Sequence, residues 1–255
     1  MKRVSTIAEA IEPYDKVWGV GASGFVTDPS PFERINLILD DTPKTTNGEI
    51  FPDRAVIMTK VMEKMQGKPM ILQMAEAIAA FWREAPIQIF DHELIVGSML
   101  CPKKGAPIFP EFGLNWIINE IEEGVLGYCE VHTHDYFSHT DETYKELKEI
   151  QPFWQGKQCE DYVVPMLTKD QIEGSHMTHG IFFCDSYMTC GAGHLGVNYD
   201  RVLKMGYGAI RKEIEEKKAA LDLSNPDDIQ KDVFYQAALI SNQAATDLIR
   251  RHATA

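Results

Sequence analysis

Three short stretches of the chain carry residue types whose spacing could support chemistry. The densest is CEVHTHDYFSH, Cys129 to His139, with three histidines, a cysteine and two acids in eleven residues. His132 and His134 stand at i and i+2, which on a strand places both imidazoles on one face, as metal ligands require. Asp135 and His139 would extend that set, and with an acid from elsewhere the reading is a small metal-dependent hydrolase. The structural alternative is a group of half-exposed loop histidines ahead of a helix, and closed zinc patterns use wider recurrent spacings.

The second stretch, His179 to Gly208, combines aromatic and polar residues in an irregular segment before a helix. Phe182, Phe183 and Tyr187 can build an apolar wall while Asp185, Ser186 and His194 supply orienting polar groups, the usual makeup of a small-molecule pocket. Equally, the phenylalanines can be core and the polar residues can cap the next helix. The third stretch, GVGASG at Gly19 to Gly24, matches the dinucleotide fingerprint in letters only. That fingerprint needs a helix leaving the last glycine, and Pro29 and Pro31 oppose one, so a glycine-rich turn is the better reading.

The elements that must position these stretches are mainly helices. Residues 17–53 are rich in glycine and proline and read as an irregular lead-in with one apolar run, RINLILD. Apolar residues fall at helical spacing over Ala55 to Met65 and Met70 to Trp82, with Met70, Met74, Ala77, Ile78, Phe81 and Trp82 on one face of the second helix. The two form a hairpin broken at GKP. The alternating APIQIFDHELIVGSM predicts two extended pieces around an acidic turn.

A helix is expected from Gly113 to Glu122, stopped by Gly124, and another over 141–150, ended by Pro152. Residues 156–200 read as irregular. Leu203, Tyr207, Ile210 and Ile214 form a later stripe. Asn225 before Pro226, with Asp227 and Asp228 behind it, marks the start of a last helix that presents Val233, Phe234, Ala237, Ala244, Leu248 and Ile249. That helix runs to RRHATA with no capping glycine, which reads as an unfinished packing surface.

Composition narrows the class. With 255 residues, 44% of them hydrophobic, the chain is long enough to bury about 70% of its unfolded surface. A net charge of −13 without a basic run excludes a phosphate-binding groove, so no nucleic-acid partner is expected. The amino terminus lacks a signal-peptide core, and no apolar run reaches the roughly 18 residues of a membrane span. Cys101, Cys129, Cys159, Cys184 and Cys190 are odd in number and contain no C-x-x-C pair, which fits a reducing cytoplasm better than a disulfide framework.

The order of segments is more specific than any motif. ERIN, the stretch from PDRA through HELIVG, then FPEF, LKEIQPFWQGK, and finally GAGH before a helix resemble, in that order, the amino-terminal part of glycyl radical enzymes. This pyruvate formate-lyase-like family includes glycerol, propanediol and hydroxyproline dehydratases, choline and isethionate lyases, and arylacetate decarboxylases. The resemblance implies an α/β fold of which residues 33–255 are the predominantly helical amino-terminal portion, behind an irregular lead-in at 1–32. The complete family fold is a ten-stranded α/β barrel, and the resemblance implies that this portion closes one side of its active site.

The family's chemistry uses a glycine that stores a radical, in an RVAGY-like loop, and a cysteine that becomes a thiyl, in a GC-x-E-like loop. Neither motif occurs here; the nearest letters are GYCE at 127–130 and MGYG at 205–208. The resemblance therefore implies no catalytic residue in these 255 residues and no bound cofactor beyond a glycyl radical on an absent glycine. It also implies a fragment or split gene product, inactive alone, as part of a dehydratase, decarboxylase or related lyase on a small molecule. The implied partners are the remainder of the enzyme, a second copy in a homodimer, and a radical SAM activating enzyme. By carry-over, Asp185 and Ser186 are the first substrate contacts, with His179, His194, Phe182 and Tyr187 around them. Many members have threonine after the histidine of the GAGH segment, where this chain has Leu195. A non-catalytic interaction protein that keeps the scaffold is the alternative from another class.

Overall fold

Glycine and proline set most of the boundaries. The computed structural model describes residues 33–41, 48–94, 96–97, 100–102, 105–124, 126, 137–171 and 198–255. The chain forms two compact units, one of Met1–Thr46 with Asp91–Leu94 and one of Asn47–Phe90 with Ile95–Ala255. In the first, helix α1 (Glu33–Asp41) covers the run expected to be part of an irregular lead-in. No glycine or proline interrupts those nine residues, so nothing opposes helical backbone there. Arg34 Nη1 donates to the His92 carbonyl at 2.8 Å within the same unit.

The second unit holds the core. Strand β1 (Glu49–Phe51) is followed by α2 (Asp53–Lys64) and α3 (Met70–Glu84), the expected hairpin. Strand β2 (Gly105–Pro107) leads into α4 (Pro110–Glu123), and α5 (Asp141–Trp154) into the short α6 (Cys159–Val163). Helices α7 (Tyr199–Ala219) and α8 (Pro226–Thr254) complete it. β1 pairs in parallel with β2, Ile50 opposite Ala106, and its other edge meets Ser138, whose carbonyl accepts from Ile50 N at 3.0 Å. Pro107 lies on β2, where a residue without an N–H is tolerated. Met58, Ile108, Leu114, Ile118, Leu147 and Trp154 are fully buried around this small sheet.

Several expectations are corrected. The 85–99 stretch has the predicted turn at Asp91 and His92, but none of its described residues joins a strand. Ile89, Leu94 and Val96 are exposed, so the alternation does not mark a half-buried face. Helix α4 starts at Pro110 rather than Gly113, because proline suits the first helical position; Gly113 is a kink with φ −160° and ψ 40°. The predicted stop is correct: Gly124 has φ 70°, the left-handed conformation that glycine adopts without strain.

Helix α5 continues through Pro152 to Trp154. Proline removes one hydrogen bond near the helix end, while the next two side chains, Phe153 and Trp154, pack into or against the core. Burial of two aromatics outweighs that loss. Part of the segment read as irregular, 156–200, contains α6 and a further turn at Val164–Met166.

The stripe on α7 is interrupted. Gly206 has φ 70° and ψ 166°, a non-helical conformation, and Leu203 before it is 83% exposed, whereas Tyr207, Ile210 and Ile214 after it are half-buried. Asn242 of α8 donates from Nδ2 to the Tyr207 carbonyl at 3.1 Å, next to this break. On α8 itself the start is as predicted, with the Asn225 side chain accepting from Asp227 N. Ala237 and Ala244 are buried and Leu248 packs on the core, but Phe234 and Ile249 face outward. On α3, Met70 is also exposed while Met74, Ala77, Ile78, Phe81 and Trp82 face the core. α8 packs along α3 and fastens its carboxyl end: Arg251 donates to the carbonyls of Trp82 and Ala85, each at 2.6 Å.

Candidate functional site

Sequence order and three-dimensional order meet at one buried polar centre. Arg54, in the first turn of α2, is 7% exposed, which an arginine tolerates only with its charge paired. Its partner is Glu111, in the first turn of α4. Nη1 donates to Oε2 at 2.9 Å and Nη2 to Oε1, a two-pronged pair in which fork matches carboxylate. The guanidinium also lies 3.9 Å over the Phe109 ring, and Nη1 approaches the Ile108 carbonyl at 3.4 Å. One side chain thus ties α2 to the β2–α4 corner.

A second tie runs from α5. Trp154 Nε1 donates to Thr59 Oγ1 at 2.7 Å, and that hydroxyl donates to the Ala55 carbonyl at 2.6 Å. A third joins α4 to the residues after α5. Gln158 Oε1 accepts from Asn115 N at 2.9 Å, and Gln151 Nε2 donates to Asn115 Oδ1 at 3.0 Å. Arg54 belongs to PDRA, Glu111 to FPEF and Trp154 to PFW, so segments that carry the family resemblance assemble into one anchor. Composition and periodicity give no sign of this; a charged residue in an amphipathic helix reads as exposed. The only signal is position within those short segments.

Two cavities flank the Arg54–Glu111 pair, one of about 500 Å³ reaching Glu111 and one of about 410 Å³ reaching Arg54. Because each charge is satisfied by the other, the pair holds backbone in place rather than presenting a free acid or base. Among the described residues no cluster of three or more His, Cys, Asp or Glu is arranged to hold a metal ion. Of the histidine-rich stretch, His139 is exposed with Nδ1 3.3 Å from the Thr140 carbonyl, while His132, His134 and Asp135 lie outside the described residues. Asp185, Ser186, His194, His179, Phe182 and Tyr187, and the glycines 19–24, lie outside them too. The described chain resumes at Asn198, whose side chain caps α7 by accepting from Arg201 N at 3.0 Å.

Acidic groups collect where α2 and α5 approach. Burial, then the charges of Asp53, Glu142 and Glu149, raise the Glu146 carboxyl above its usual value, against the opposing pull of Lys60. Burial raises Asp53 likewise. A carboxyl that keeps its proton to higher pH when folded stabilises the fold below its unfolded value, and this contribution is lost as pH rises through the folded one. Glu146→Gln should therefore stabilise the protein by about 0.5 kcal/mol at pH 7 and progressively less toward pH 4, read from urea unfolding across that range.

The chain is similar to known proteins over most of its length. The family profile described as pyruvate formate lyase-like matches residues 27–255. A (2S)-3-sulfopropanediol dehydratase of Klebsiella oxytoca is 32% identical over 99% of this chain, and an isethionate sulfite-lyase of Desulfovibrio desulfuricans is 26% identical over 94%. The chain spans 30% and 28% of the length of these two relatives. The glycerol-bound form of the B12-independent glycerol dehydratase from Clostridium butyricum superposes with a TM-score of 0.76 at 29% identity, over 89% of this chain and 28% of that one. No helix among the described residues is long and apolar enough to cross a membrane. The chain belongs to the pyruvate formate lyase-like family of glycyl radical enzymes and corresponds to its amino-terminal, mostly helical portion.

Proposed function

We propose that these residues form the amino-terminal part of a glycyl radical lyase that eliminates water from a small hydroxylated compound. The observation that carries this reading is the match of 99% of the chain, at 32% identity, to a dehydratase of a sulfonated diol. The glycerol-bound dehydratase of similar fold supports a vicinal diol as the substrate class. In the complete enzyme a glycyl radical generates a thiyl, the thiyl removes a substrate hydrogen, and the neighbouring hydroxyl leaves. The part of this chain is to hold the substrate near attack geometry, with Asp185 or His194 delivering the proton that the leaving hydroxyl needs. Ser186, His179, Phe182 and Tyr187 complete the proposed contacts. The remainder of the enzyme, a homodimer partner and a radical SAM activating enzyme are the proposed partners, in the cytoplasm.

The test is product analysis on the complete polypeptide carrying these residues, activated anaerobically and given glycerol, propane-1,2-diol, 3-sulfopropanediol or isethionate. Aldehyde without sulfite from a diol is expected, with Asp185→Asn or His194→Gln, whichever removes the proton donor, lowering kcat at least about tenfold. Sulfite from isethionate alone would replace dehydration with sulfite elimination as the reaction. The enzyme reading also requires RVAGY-like and GC-x-E-like loops elsewhere in the complete polypeptide or on a companion gene, which the coding sequence around these residues tests.

A further inference from the structure

We propose that the 500 Å³ cavity between the α2–α3 hairpin, the first turn of α4 and the end of α5 binds a small organic anion with an apolar body, a medium-chain or aromatic carboxylate or sulfonate. Met62 and Trp154 are buried in its lining, 3% and 1% exposed, and Met74 packs beside them. Unbranched thioethers adapt to the shape of an apolar guest and make favourable contacts with aromatic rings. The volume lies within the range of small-molecule sites.

Three of the polar groups that line this cavity are committed elsewhere. Trp154 Nε1 donates to Thr59, Gln73 Nε2 donates to the Lys68 carbonyl at 2.7 Å, and the Glu111 carboxylate is held by Arg54. Lys157 is the one cation among the described lining residues, beside the neutral Gln66, Cys159 and Tyr162. Its ammonium stands 3.5 Å over the Phe153 ring, without a carboxylate partner among the described residues. The ring contact, not burial, keeps this exposed charge beside the cavity that Lys157 lines. An apolar pocket with one uncompensated cation selects a guest that is apolar at one end and anionic at the other. In a chain of net charge −13, anions gain nothing from the overall field and need such a local charge.

The probes are octanoate and its neutral counterpart octan-1-ol, titrated calorimetrically into the full chain. Saturable binding of one octanoate is expected. Lys157→Met, which keeps an apolar stem at an exposed position, should weaken octanoate about three- to tenfold and leave octanol unchanged. Met74→Trp should fill the cavity and abolish both, with unfolding curves confirming that each variant is folded. Equal losses for octanoate and octanol in Lys157→Met, undiminished binding to folded Met74→Trp, or no saturable octanoate binding to the unaltered chain would each overturn the proposal.

Discussion

Arg54→Ala should destabilise the protein by about 3–5 kcal/mol, because it strands the half-buried Glu111 carboxylate without its partner. Against a typical total of about 5–15 kcal/mol, that is enough to populate unfolded chain at 37 °C. The cation over Phe109 is lost as well, which unpins the corner where β2 enters α4. Charge removal from both partners is a different experiment. In Arg54→Met with Glu111→Leu no ionised group remains to be desolvated, and most of the loss should be recovered. Urea unfolding of the single and double variants gives the comparison. Equal stability of Arg54→Ala and the unaltered chain would show that the pair is not an anchor.

Trp154→Ala is the other large loss, also about 3–5 kcal/mol, since it empties the volume of the largest fully buried side chain among the described residues. Trp154→Phe separates shape from hydrogen bonding. It keeps most of the apolar contact but removes the donor to Thr59 Oγ1, and should cost about 1–2 kcal/mol. With Thr59→Val already present, the added cost of Trp154→Phe should shrink, because the two side chains share that bond. The residue ends α5, just past Pro152, so its contact is also what carries the helix through the proline. Trp154→Ala should accordingly lose helix content at 150–154, visible as faster amide exchange there.

These two residues illustrate what the sequence makes legible. Local chemistry reads well: Asn225 and Pro226 open α8, Gly124 closes α4, and periodicity gives the α2–α3 hairpin. Where tertiary contact decides, local reading fails. Pro152 reads as a stop, yet burial of Phe153 and Trp154 extends α5 past it. β1 and β2 are three residues each, too short for an alternating pattern, and their pairing is between distant segments. Arg54 and Glu111 stand 57 positions apart, and nothing local distinguishes them from solvated charges. The family was legible because ordered short segments encode a shared set of contacts, even though no single segment states its role. The substrate contacts expected at 179–194 rest on that resemblance and lie outside the described residues.

Paramagnetic resonance on the complete polypeptide that carries these residues tests the enzyme assignment most directly. After anaerobic reaction with its activating enzyme it should show an organic radical split by a single hydrogen, and the splitting should collapse when the protein is made with glycine deuterated at Cα. A folded, activator-bound protein with no glycine-centred radical would contradict the assignment.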